Sequence, residues 1–118
     1  MTAVCHETGE NIINPFIGIR DFNDKGKLLG TTYINTQIFK PYQEEIIHPI
    51  DDDVRLKMER ARERLYDVWA IVGEYNTNSK TVSLRPPRAE VFLGYLSGEV
   101  VQNHLPNTYE YFDSLRNA

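Results

Sequence analysis

Between residues 54 and 75 the chain changes its hydrophobic period, and no single kind of secondary structure accommodates both halves. Val54, Met58, Ala61 and Leu65 recur at i, i+4, i+7 and i+11, the stripe of an amphipathic helix. Lys57, Arg60 and Arg64 then fall on the opposite, water-facing side. The next stretch, DVWAIVGEY, is rich in β-branched and aromatic residues, which suit a pleated, half-buried strand better than a continued helix. Val68 and Val72 would carry the helical stripe on to Gly73, so the helix end is set near Asp67 on composition. A helix running into a strand in a chain of 118 residues gives an α+β fold in one domain, residues 1–118, long enough to bury a core without disulfides or metal.

The remaining elements follow from turn chemistry. NPFIGIRDF and KLLGTTYINTQIF flank the turn NDKG, where Asp24 tolerates turn geometry and Gly26 supplies positive φ, so a first hairpin is expected. KPYQEEIIHP, bounded by Pro41 and Pro49, reads as a connection, because prolines interrupt ladders and helices. DVWAIVGEY and TVSLRP flank NTNSK and read as a second hairpin. RPPR at 85–88 imposes an extended kink, and AEVFLGYLSGEVV reads as a further strand with bulge or turn positions at Gly94 and Gly98. LPNTYEYFDSLRN places Asn107 three residues before Glu110, a capping-box spacing, with Tyr109, Phe112 and Leu115 as apolar anchors of a short C-terminal helix. The expected architecture is an antiparallel sheet of two hairpins plus a strand, packed against the central helix and the C-terminal helix. Residues 1–12 are expected to be loosely held.

Asp51, Asp52 and Asp53 precede the central helix. Carboxylates there cap free N–H groups and meet the positive end of the helix dipole, each interaction contributing roughly 0.3–1 kcal/mol. A metal site would need converging ligands, whereas consecutive helical residues diverge by about 100°, so the helix-start reading is preferred. His48 or Glu44 would be the missing partners of a metal set. His6, His48 and His104 lie in no HExxH setting, and no phosphate-binding or dinucleotide-binding glycine motif is present. No catalytic residue, cofactor or metal is therefore assigned. Cys5 is the only cysteine, which excludes an intramolecular disulfide and fits a reducing compartment. With no apolar run of membrane-span length and no basic, apolar leader at the N-terminus, a cytoplasmic protein is expected.

Charge narrows the functional classes. Residues 1–53 carry four Lys/Arg against nine Asp/Glu, whereas residues 54–64 carry five against two, within a net charge of −4. An acidic body with one basic helix lacks the broad basic surface on which general nucleic-acid binding depends. The leading expectation is a small acidic protein that binds another protein, as an inhibitor, an immunity-type protein or an accessory subunit; homodimerisation is compatible with it. The contact residues expected are Lys57, Arg60, Arg64, Arg85, Arg88 and Tyr95. The alternatives are a nucleic-acid-associated module using those cations with tyrosine stacking, and a small ligand- or metal-binding enzyme domain around His48, Asp51 and Glu44. Two bland readings compete: a solvated charged helix face laced with i, i+4 pairs, and tyrosines serving as edge and core residues.

Overall fold

The computed structural model describes residues 4–23, 25–41, 46, 53, 56, 64–86 and 88–117. Their order is β1 (Phe16–Phe22), β2 (Leu28–Asn35), β3 (Leu65–Val72), β4 (Tyr75–Asn76), β5 (Thr81–Val82), β6 (Ala89–Ser97), α1 (Gly98–His104) and α2 (Pro106–Arg116). Strands β2, β1, β3 and β6 form, in that spatial order, an antiparallel sheet, and β4 pairs with β5 in a two-stranded sheet. The fold is α+β. No helix among the described residues is long and apolar enough to cross a membrane.

The first hairpin forms where the sequence places it. The Asn23 backbone N–H donates to Lys27 O at 2.9 Å, the Asn23 side chain accepts from the N–H groups of Lys25 and Lys27, and Gly26 adopts φ 77°. A side chain that satisfies its own turn's donors is what makes such a connection local and readable. The second hairpin is divided. Residues 75–76 and 81–82 close on NTNSK as expected, but Leu65–Val72 pairs with β1 on one side and β6 on the other. Asn14 bridges the divide, its amide donating to Gly73 O and its carbonyl accepting from Gly73 N–H.

Three further expectations are corrected. Leu65 opens a strand rather than closing a helix, and it is half-buried; Val54, Met58 and Ala61 lie outside the described residues, and Asp53 and Leu56, which are described, are both helical. Beyond Ser97 the chain turns helical instead of continuing the strand, because the Ser97 hydroxyl accepts from Val100 N–H and Glu99 occupies the first turn. In the N-terminal segment, of which residues 4–12 are described, Cys5 and Ile12 are in the core. Glu7 accepts from the Asn107 N–H at 3.2 Å, the Thr108 N–H at 2.9 Å and the Thr108 hydroxyl at 3.0 Å. Glu7 therefore caps α2 in place of a local Asn107–Glu110 box, and the helix begins at Pro106 with no side-chain cap from Leu105.

The register assigns the sheet's two faces. Ile17, Ile19 and Asp21 of β1 share a face with Tyr66 and Val68 of β3 and Gly30 and Thr32 of β2. Helix α2 lies over this face: Phe112 meets Tyr66 at a centroid distance of 5.0 Å, and a Cβ on Gly30 would meet Leu115 Cδ1 at 2.5 Å. Glycine at residue 30 lets the helix approach the sheet. The anchors Tyr109, Phe112 and Leu115 all pack on the core, Phe112 completely.

Candidate functional site

Two groups of charged and aromatic side chains sit on opposite faces of the sheet. On the helix-covered face Asp21 is fully buried. It accepts from Arg64 Nη2 at 3.1 Å, Arg116 Nε at 2.9 Å and Arg116 Nη2 at 2.6 Å, while Arg64 Nη1 also reaches Asp113 at 3.4 Å. The Arg64 guanidinium lies over the rings of Tyr66 and Tyr109, each at 5.2 Å. The Tyr66 hydroxyl and Arg64 Nε are buried with no hydrogen-bond partner among the described residues. Burial pushes the Tyr66 phenol well above the usual tyrosine range, with the positive charge of Arg64 opposing the shift.

Arg64, expected to face water, is instead largely buried and ion-paired, its side chain 13% exposed. A cleft of about 220 Å³ beside it is lined by Arg64, Ser97, Gly98, Glu99, Gln102 and Tyr109. Among the described residues, Arg64 already faces two carboxylates and Glu99 adds a further negative charge to the lining of the cleft.

On the other face, half-buried aromatics run toward the β6 edge. Trp69 meets Phe92 at 5.0 Å and Phe92 meets Tyr95 at 5.3 Å, edge-on. Arg20 lies 4.8 Å from the Trp69 ring centroid and donates to Glu90. Arg88 Nε pairs with the same Glu90 at 2.5 Å, and Arg88 Nη1 donates to the Tyr33 hydroxyl and to Leu84 O. Desolvation works against the Arg88 charge, yet Tyr33 and Glu90 together hold it above the usual arginine value. One carboxylate on β6 thus fixes Arg20 of β1, across the intervening β3, together with Arg88 beside β6, and the aromatics stand in a frame of paired charge.

Of the contact residues expected from sequence, Tyr95 and Arg88 fall on this aromatic face, Arg85 is exposed at the bend after β5, and Arg64 is on the opposite side. Lys57 and Arg60 lie outside the described residues, as do Asp51, Asp52, His48 and Glu44. Among the described residues, Arg64 and Arg88 lie on opposite faces of the sheet. No group of three or more His, Cys, Asp or Glu among the described residues is placed to hold a metal ion. Sequence reasoning missed Arg20, Trp69, Glu90 and Phe92. Their signal was present in β1, where Arg20 alternates in phase with Phe16 and Gly18, but placing Glu90 beside it requires the β3–β6 pairing. Comparisons of the chain with family models, curated proteins and solved structures return no match.

Proposed function

We propose that the protein acts by binding another protein through the sheet face bearing Trp69, Phe92 and Tyr95. The observation that carries the reading is this row of contacting aromatic side chains, half-exposed beside an edge strand and held by the Arg20–Glu90–Arg88 ion pairs. Aromatic residues and arginine dominate binding energy at protein interfaces. Rigid aromatic rings also lose little conformational entropy on contact, and charges fixed before binding need no further ordering. The inhibitor, immunity-type and accessory-subunit roles share this chemistry.

The test compares affinity capture by the native chain and by a Phe92→Ser/Tyr95→Ser variant, with Glu110→Ala on the exposed side of α2 as control. A stoichiometric protein partner is expected with the native chain and with the control. The double variant is expected to lose it, since anchor truncations of this kind cost about 2 kcal/mol or more each. Equal recovery by all three proteins would move the contact off this face.

A further inference from the structure

Strand β6 is an outer strand of the four-stranded sheet, and among the described residues no strand pairs with its outer side. Natural edges are blunted by charged side chains, prolines or bulges. Here the register slip opposite Val68 and Trp69, with Gly94 at φ 149°, places a bulge at Leu93 in the middle of the strand, between two regularly paired halves. The first half, Ala89 to Phe92, pairs regularly with β3. Its pleat puts Ala89 and Val91 on one side together with Val72 of β3; Val91 is 62% exposed and Val72 49% exposed. The one charge in this half, Glu90, is already balanced within the chain by Arg20 and Arg88.

We infer that the Ala89–Phe92 edge pairs antiparallel with the same edge of a second copy, about a two-fold axis at Val91, joining two four-stranded sheets into one of eight strands. Charge and apolar cover together select the register and the occupant. A two-fold axis at Glu90 would set Glu90 against its own copy, and like charges directly opposite are destabilising. With the axis at Val91, Val91 meets Val91 and Glu90 lies opposite Phe92, so apolar surface covers apolar surface and no like charges meet. The edge is then complementary to itself with no residue changed, as an isologous interface requires. The aromatic faces of both copies end up on one side of the joined sheet, available together. The inference does not depend on the proposed function, because it concerns the backbone edge rather than the aromatic face.

Sedimentation equilibrium over a range of protein concentrations tests it with the full chain. The native protein should dimerise reversibly. Val91→Lys should raise the dimer dissociation constant by about ten-fold or more, because it sets two like charges opposite one another, whereas Leu28→Lys on the other edge strand should leave it unchanged. Val91→Cys gives a second reading that survives if the lysine variant folds poorly. Directly opposed residues stand about 4.5–5.5 Å apart at Cβ, so mild oxidation should yield a covalent dimer, which Leu28→Cys should not. A native chain that stays monomeric at every concentration overturns the proposal. So does a dimer unaffected by Val91→Lys, or an edge whose amides gain hydrogen-exchange protection only when a different protein is added.

Discussion

Replacing Asp21 by Asn tests the claim that a buried charge cluster fastens helix α2 to the sheet. The substitution preserves shape and removes the charge that Arg64 and Arg116 share. Truncating one partner of a buried ion pair costs about 3–5 kcal/mol, because the other charge stays desolvated without compensation. Two features of the site reduce that figure. Arg64 keeps Asp113 at 3.4 Å and Arg116 keeps Phe22 O at 3.1 Å, and the two arginine side chains are 13% and 29% exposed.

The expected loss for Asp21→Asn is therefore about 2–4 kcal/mol, a large part of the ~5–15 kcal/mol typical of a domain. In urea denaturation this appears as a midpoint lower by on the order of 1–3 M at unchanged slope. A cycle with Arg64→Met should show the double variant less destabilised than the sum of the singles, by about 1–3 kcal/mol. A loss under about 1 kcal/mol with additive singles would refute the view that the cluster holds α2 in place.

Three other outcomes follow from the same geometry. Tyr66→Phe removes a buried hydroxyl that has no hydrogen-bond partner among the described residues, so thermal unfolding should show unchanged or higher stability, by up to about 2 kcal/mol; clear destabilisation would mean the hydroxyl is bonded. The raised Tyr66 pKa has a sign as well. The unfolded chain ionises at about pH 10 and the folded chain only above that, so this contribution is intact below pH 10 and declines above it. Tyr66→Phe should flatten the alkaline limb of the stability profile. Glu7→Ala removes the carboxylate capping α2 and should cost about 1–2 kcal/mol, with faster amide exchange at Asn107 and Thr108.

What could be read from sequence was what local chemistry determines. Asn23 and Gly26 settle their turn within five residues, and Tyr109, Phe112 and Leu115 repeat on one helical face, so both features were legible. The errors share a cause in long-range pairing. Arg64 looked like the end of a solvated stripe because its partner Asp21 is 43 residues away, and Arg116 reaches the same carboxylate across 95 residues. Val100 and Val101 favoured a strand by propensity, and the Ser97 cap overrode it. The N-terminal segment looked loose because the helix that Glu7 caps lies 101 residues further on. The aromatic face was visible only as Tyr95, since its grouping with Trp69 and Phe92 depends on which strands become neighbours.

Trp69 is the only tryptophan in the chain and stands on the proposed contact face, so its fluorescence reports occupancy of that face without any label. Titrating the protein recovered by affinity capture into the native chain should shift the Trp69 emission to shorter wavelength and saturate at a fixed stoichiometry, as water is excluded from around the ring. DNA or RNA added at low salt should leave the emission unchanged. Saturable binding of the protein partner, established by calorimetry, with no change in Trp69 emission would contradict the assignment of this face.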